Sequence, residues 1–310
     1  MAKARVFEGV IAPVSTPFGA DGAPDVDRFL SHADWLMDNG CTALAPFGTT
    51  SEANSLGLDE RMELLEELVD ADFEPAKLMP GTGLCSVTDT IILTEHAVDL
   101  GCGGALMLPP FYYKAPSEEG LYRFFSEVIE GVGDDRLKVF LYHIPPIAQV
   151  GFSLSLIARL RKAFPDTIAG LKDSSGDWAT SKAILEANPT GFDMFVGSEA
   201  FLLDGLRLGA AGTISASANV NPAALFDVYK NWQGADADAL QAKVGAIRKV
   251  FQSQPLIPFI KAIIAHYRKD PAWAELRPPF TACPAADAAA AIALLERDHG
   301  FKMVIEDGEV

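Results

Sequence analysis

The sequence predicts an α/β fold, a (β/α)8 barrel with an appended C-terminal helical region. Three observations carry that prediction. Short apolar runs alternate with amphipathic stretches from residue 6 to residue 216, with little sign of a linker. Eight such alternations fit within roughly 230 residues, the span of such a barrel, because each parallel strand pair needs a crossover helix. After residue 220 the pattern is helical only. The rival, an open doubly wound sheet, usually carries a glycine-rich phosphate loop after its first strand. Here the first run leads into Ser15-Thr16-Pro17-Phe18 instead.

The strand candidates, in order, are Gly9–Val14, Ala43–Pro46, Leu78–Gly81, Ala105–Leu108, Val139–Tyr142, Ile168–Leu171, Met194–Val196 and Thr213–Ser215. They are short and continuously apolar, as strands covered on both faces are. Between them lie the helix candidates Asp25–Met37, Asp59–Asp70, Val87–Leu100, Glu118–Ile129, Leu154–Ala163, Trp178–Ala187 and Ala200–Leu208. Asp59-Glu60-Arg61 supplies an acidic first turn, and Gly40, Gly101 and Gly209 fall where helices should stop. Gly81-Thr82-Gly83-Leu84 lacks the third glycine of a nucleotide loop and reads as a turn after the third strand. Pro222–Trp232 completes the barrel, and Ala235–Phe251, Pro258–Tyr267 and Ala285–Asp298 follow. The expected division is a catalytic barrel over residues 1–233 and a helical region over 234–310 packed on it.

Composition narrows the function. The 310 residues include 25 basic and 42 acidic side chains, a formal net charge of −17. Such a field repels nucleic acid and anionic lipid, and an anionic substrate needs a local positive site against it. The N-terminal stretch has no secretory h-region, and no apolar run approaches a membrane span. Cys41, Cys85, Cys102 and Cys283 show no C-x-x-C spacing, so free thiols in a reducing cytoplasm are expected. The five histidines show no H-x-x-x-H pairing, so metal catalysis has little support.

In a barrel of this kind the chemistry lies at the carboxyl ends of the strands. Those ends read Gly48-Thr49-Thr50-Ser51-Glu52, then Phe111-Tyr112-Tyr113-Lys114, Tyr142-His143-Ile144-Pro145, Lys172-Asp173, Gly197-Ser198-Glu199 and Ile214-Ser215. The hydroxyls of Thr49, Thr50, Tyr113 and Tyr142 would gather around one amine, Lys172. A lysine walled in by apolar groups is more readily deprotonated, and the free amine condenses with a ketone to an iminium that acts as an electron sink. A tyrosine coupled to threonine hydroxyls can move the protons. Backbone amides at Gly48, Thr49 and Thr50 suit the carboxylate of a 2-oxo acid.

These same segments, with Gly9-Val10-Ile11-Ala12-Pro13, Gly170-Leu171-Lys172-Asp173-Ser174 and Gly212-Thr213-Ile214-Ser215, resemble the dihydrodipicolinate synthase / N-acetylneuraminate lyase family of pyruvate-type class I aldolases, over nearly the whole chain. The resemblance implies Lys172 as the Schiff-base lysine and Tyr142 as general acid/base. It implies Thr49 and Thr50 on the pyruvyl carboxylate, with Thr50 also in the proton relay. Tyr113 matches the tyrosine offered across a subunit contact, which implies a homo-oligomer, commonly a tetramer built as a dimer of dimers. Ile214 would lend its carbonyl and Gly197 would line the pocket. No metal and no cofactor is implied beyond the covalent adduct on Lys172.

Two departures bear on specificity. The synthase branch places an arginine five residues after the catalytic tyrosine, where this chain has Ile147. Losing a guanidinium from a carboxylate site forfeits about 1.5–3 kcal/mol, which disfavours the lysine-biosynthesis reaction. The sialic-acid branch places two acids after the strand-seven glycine; only Glu199 remains here as a substrate-binding carboxylate, and Ala216 stands where a serine is expected. The expected reaction is reversible aldol cleavage of a 2-keto-3-deoxy acid or 4-hydroxy-2-oxo acid to pyruvate and an aldehyde. The alternatives are a dehydratase or deaminase using the same lysine, the 4-hydroxy-tetrahydrodipicolinate synthase reaction, and a non-catalytic binding scaffold. Packing roles are expected for Tyr112 and His143, a solvated Lys114, and loop-bonding carboxylates at Glu52 and Asp173; Gln149 follows Ile147 as a possible tuner of substrate choice.

Overall fold

A computed structural model describes residues 4–188 and 190–305. Among these, seven parallel strands are hydrogen-bonded in the order β2-β1-β7-β6-β5-β4-β3: β1 (Gly9–Ala12), β2 (Ala43–Leu44), β3 (Ala105–Met107), β4 (Val139–His143), β5 (Ile168–Asp173), β6 (Asp193–Val196) and β7 (Gly212–Ile214). The interval between β2 and β3 is bridged by residues 78–82. Leu78 pairs with Leu44 and Gly81 with Leu106, both parallel. Met79 N donates to Leu44 O at 2.8 Å, and Leu106 N donates to Pro80 O at 2.9 Å. This segment closes the eighth side of the barrel. A regular strand was expected there; Pro80 lacks the N–H that a continuous ladder needs, so only isolated bridges form.

The strands alternate in and out with period two. Ile11, Met79, Leu106, Phe140, Tyr142, Phe195 and Ile214 form one buried cluster, the barrel lumen. Val10, Leu44, Met107, Leu141, Leu171 and Val196 join a second cluster against the surrounding helices. The outer layer comprises α1 (Val26–Asp38), α2 (Leu58–Asp70), α3 (Val87–Asp99), α4 (Glu118–Val132), α5 (Pro145–Ala148), α6 (Leu154–Ala163), α7 (Trp178–Ala187), α8 (Leu202–Arg207) and α9 (Pro222–Asn231). The side chains of Asp25, Ser86, Ser117, Ser153 and Asp177 each accept a backbone N–H at the start of the following helix. Each such cap contributes about 0.5–2 kcal/mol. Gly40 and Gly101, expected at helix ends, adopt φ of 106° and 81°, where a side chain would be strained.

The C-terminal helices α10 (Ala237–Gln252), α11 (Leu256–Arg268) and α12 (Ala285–His299) bring Val244, Ile247, Phe251, Phe259 and Ile263 into the same cluster as the outward strand residues. Two ion pairs, one of them fully buried, join this region to the barrel's carboxyl-terminal rim. Lys261 Nζ lies 2.6 Å from Glu52 Oε1, with the two side chains 1% and 0% exposed. Arg277 bonds Glu60, and its backbone N–H reaches Glu52 Oε2 at 3.2 Å. Burial pushes the Glu52 carboxyl up and the Lys261 amine down, each toward its neutral form, while their mutual attraction opposes the shift. Glu52 is thus a loop-bonding carboxylate whose partner comes from 209 residues further along the chain.

Candidate active site

Lys172 occupies the inward register of β5, beside Tyr142 of β4 on one side and Phe195 of β6 on the other. It is 3% exposed, as is Tyr142. Room for the lysine depends on the residue beneath it. Gly170 points inward from the same strand, and a Cβ there would meet the Phe140 ring at 2.7 Å and Asp193 O at 2.1 Å. The glycine of Gly170-Leu171-Lys172 therefore lets the Phe140 ring fill the layer below the amine.

The Lys172 amine stands 4.2 Å from the centroid of the Tyr142 ring. The Tyr142 hydroxyl shares a 3.2 Å hydrogen bond with Thr49 Oγ1. The expected relay partner was Thr50; in this chain the hydroxyl in contact with the phenol belongs to Thr49, and Thr50 lines the cavity beside it. Both threonines stand in a tight turn in which Ser51 N donates to Gly48 O and Glu52 N to Thr49 O, each at 3.2 Å. The Thr49 and Thr50 amides precede the first acceptor within that turn, as at a helix start, and are suited to an anion. Phe47 and Glu52 flank the turn with φ of 61° and 55°, left-handed values that the buried Lys261 contact helps to hold at Glu52.

A cavity of about 590 Å³ opens above the amine. Thr49, Thr50, Tyr142, Ile147, Lys172, Gly197 and Ile214 all line it, so most of the expected site residues come together. Its size suits a small metabolite. Gly197 is required by close approach: its N–H donates to Asp173 O at 2.6 Å, and a Cβ would meet Ser174 Oγ at 2.1 Å. Ile147 stands at the mouth, 62% exposed, on the short helix α5 that begins at Pro145. Gly48 lies in a small crevice with Phe47, Gly81 and Gly83, next to the cavity wall.

Two residues expected at the site, Glu199 and Tyr113, lie outside the cavity. Glu199 is 1% exposed, and its carboxylate accepts from Ser215 and Ser217 and from Arg248 Nη1 at 3.3 Å. Its carboxylate is held by the protein behind the cavity wall rather than offered to a substrate, because burial obliges a carboxylate to find internal donors. Tyr113 is 78% exposed, packed edge-on against Tyr112, and stands outside the cavity of the single chain. Lys114 is exposed, as expected, and its amine also donates to the carbonyls of Phe111 and Ala148, bracing the β3 loop against α5.

His143 faces outward from β4. Its Nδ1 accepts the Phe152 N–H at 2.9 Å, and burial holds the ring below the usual imidazole range, leaving it neutral with the proton on Nε2. Asp173 accepts from Ser175 N at 2.9 Å and from the Ser181 hydroxyl, fixing the loop after β5. Among the described residues no group of three or more His, Cys, Asp or Glu is arranged to hold a metal ion, and no helix is long and apolar enough to cross a membrane.

The strand-end reading missed the far wall. Arg248 and Gln252 of α10, Leu256 and Ile257 of α11, and Phe280 line the same cavity from the C-terminal region. One signal was visible. Arg248 falls on the buried face of α10 with Val244, Ile247 and Phe251, a place where an arginine needs a buried counter-charge.

An amine and a phenol side by side in a barrel lumen, with a hydroxyl turn closing the space above them, belong to a class I, Schiff-base lyase. The comparisons agree. Residues 6–296 match the dihydrodipicolinate synthetase family. A DapA-like lyase of Chloroflexus aurantiacus is 34% identical over 293 residues, 93% of this chain and 96% of that protein. Among solved structures, dihydrodipicolinate synthase from Agrobacterium tumefaciens superposes with a TM-score of 0.85 at 29% identity, covering 93% of this chain and 98% of that one. YagE, a prophage protein of the dihydrodipicolinic acid synthase family from E. coli K12 solved with pyruvate, gives 0.86 at 28% identity, covering 94% and 98%. The chain belongs to the dihydrodipicolinate synthetase family.

Proposed function

We propose that Lys172 forms a Schiff base with the keto group of a 2-oxo acid and that the enzyme catalyses reversible aldol cleavage of a 2-keto-3-deoxy acid or a 4-hydroxy-2-oxo acid. The observation that carries the reading is the triad of buried Lys172 and Tyr142 with half-buried Thr49, the amine 4.2 Å from the phenol ring and the phenol hydroxyl 3.2 Å from the threonine.

The neutral amine attacks C2, and the resulting carbinolamine loses water to give an iminium. Tyr142 supplies the proton that lets hydroxide leave as water, and Thr49 connects its hydroxyl to the turn that holds the substrate carboxylate. Removal of the 4-hydroxyl proton breaks the C3–C4 bond. The aldehyde departs, and the electron pair passes into the iminium as an enamine. Protonation at C3 and hydrolysis release pyruvate and the free lysine. No bound metal is needed, since the iminium itself takes up the electron pair.

Ile147 supports cleavage over the synthase reaction, because no guanidinium occupies that position for a semialdehyde carboxylate. The exposed Tyr112–Tyr113 pair supports assembly with a second copy, in a dimer of dimers. Four unpaired cysteines support a cytoplasmic setting. A coupled assay for pyruvate release across short 4-hydroxy-2-oxo acids and 3-deoxy-2-oxo acids tests the reading. Turnover that vanishes in Lys172→Met supports it. Tight binding of every candidate without product identifies a scaffold, and water or ammonia release without aldehyde identifies the dehydratase or deaminase reaction.

A further inference from the structure

We infer that Arg248, with Gln252 one helical turn later, forms an anion subsite at the far side of the cavity, so that the preferred 2-oxo acid carries a second carboxylate distal to the keto group. The inference rests on the Schiff-base reading of Lys172 and adds to it the class of substrate.

Arg248 is 8% exposed and lines the cavity from α10. Its hydrogen bonding is sparse for a buried guanidinium. Nη1 makes two long contacts, 3.3 Å to Glu199 Oε2 and 3.4 Å to Ser215 Oγ. Nε is buried without a partner. A guanidinium has five N–H donors, and a buried cation left this far short of acceptors is costly unless something else completes it. Glu199 supplies the counter-charge at 3.3 Å but shares its oxygens with the Ser215 and Ser217 hydroxyls, so it meets only Nη1 of the guanidinium.

Arg248 brings a guanidinium to the cavity wall, and among the described residues that wall holds no carboxylate. In a chain of net charge −17 this is a local donor of the kind an anionic substrate needs. The Thr49–Thr50 turn suits the carboxylate next to the keto group; Arg248 suits one at the other end. Between them Ile144, Ile147, Phe201, Ala216 and Leu256 present apolar surface, which disfavours a hydroxyl-rich tail. Gln252 lies at i+4 from Arg248 on the same helix face, and its exposed amide can add a second donor. The guanidinium that Ile147 cannot supply thus arrives from a different element.

The test compares matched 2-oxo acids: 2-oxoglutarate against 2-oxopentanoate, and 2-oxoadipate against 2-oxohexanoate, with binding read by calorimetry and adduct formation read separately by borohydride trapping. The wild type is expected to favour each diacid over its methyl-ended partner by about 10–100-fold. Arg248→Met removes that preference, and Arg248→Lys retains part of it. Should Arg248→Met fold poorly because Glu199 loses a contact, Gln252→Glu provides the second arm: an exposed position, a new negative charge beside Arg248, and an expected several-fold loss of diacid affinity alone. Equal affinities within a pair in the wild type, or a preference that survives both variants, overturns the subsite. Diacid preference without any trapped adduct leaves the subsite standing and refutes the Schiff-base reading.

Discussion

Lys261→Met should weaken both the fold and the pyruvate site through a single contact. Lys261 and Glu52 meet at 2.6 Å with both side chains essentially removed from solvent. Removing the cation leaves Glu52 as an uncompensated buried carboxylate, a change that costs about 3–5 kcal/mol. Lys261 Nζ also donates to Glu275 O at 2.6 Å, and the loss of that bond adds about 1 kcal/mol. The expected destabilisation is therefore about 4–6 kcal/mol. Glu52 ends the turn that carries Thr49 and Thr50, so its displacement should weaken pyruvate binding by about tenfold or more. In the double variant Glu52→Gln/Lys261→Met the charge is gone while an amide oxygen remains for the Arg277 N–H that Glu52 accepts at 3.2 Å. About half of the lost stability should return. Urea unfolding and pyruvate calorimetry on the wild type and the Lys261→Met, Glu52→Gln and double variants measure both effects. A cost below about 1 kcal/mol for Lys261→Met, or a double variant no more stable than that single one, refutes the reasoning.

His32 gives a pH prediction. Burial, with Arg268 nearby, lowers its imidazole to about 3, while the unfolded chain titrates near 6.5. Between those values the unfolded state holds one more proton, so stability present at neutral pH drains away on acidification by about 1.4 kcal/mol per pH unit from this group. Unfolding free energies from pH 6 to pH 4 should show that increment in the wild type and lack it in His32→Gln; equal slopes contradict it. Tyr142→Phe keeps the ring beside the amine and removes only the hydroxyl bonded to Thr49, so kcat should fall by about 10²–10⁴ with little change in melting temperature. A kcat within a few-fold of wild type would remove Tyr142 from the proton path. Gly170→Ala forces a Cβ against Asp193 O and the Phe140 ring and should cost about 1–3 kcal/mol or more, seen as a lowered melting temperature; an unchanged one counts against the tight layer beneath Lys172.

Much of the barrel was legible because its signals are local. Apolar runs with intervening amphipathic stretches mark the strands and helices, and the positive-φ glycines at 40 and 101 end helices where the sequence suggests. The segment at 78–82 was harder, since Pro80 reduces a strand to bridges while Met79 still faces the lumen. The one-turn helix Pro145–Ala148 is too short to show periodicity. At the site, the convergence of Lys172, Tyr142 and the Thr49–Thr50 turn was readable because strand ends meet in any such barrel, but which threonine reaches the phenol was not. Glu199 was misread: a carboxylate after β6 was assigned to substrate, whereas its partners Ser215, Ser217 and Arg248 were already in the chain. For Arg248 only its place on the apolar face of α10 was visible; its partner, and that of Lys261, depend on how α10 and α11 dock across the rim, which no local pattern encodes.

The most direct test of the central claim is borohydride reduction of the enzyme in the presence of pyruvate, followed by peptide mass spectrometry. The account predicts one reduced pyruvyl group on Lys172 and none on Lys114, Lys261 or any other lysine, with labelling abolished in Lys172→Met. Full turnover with Lys172 unmodified, or an adduct carried by a different lysine, contradicts it.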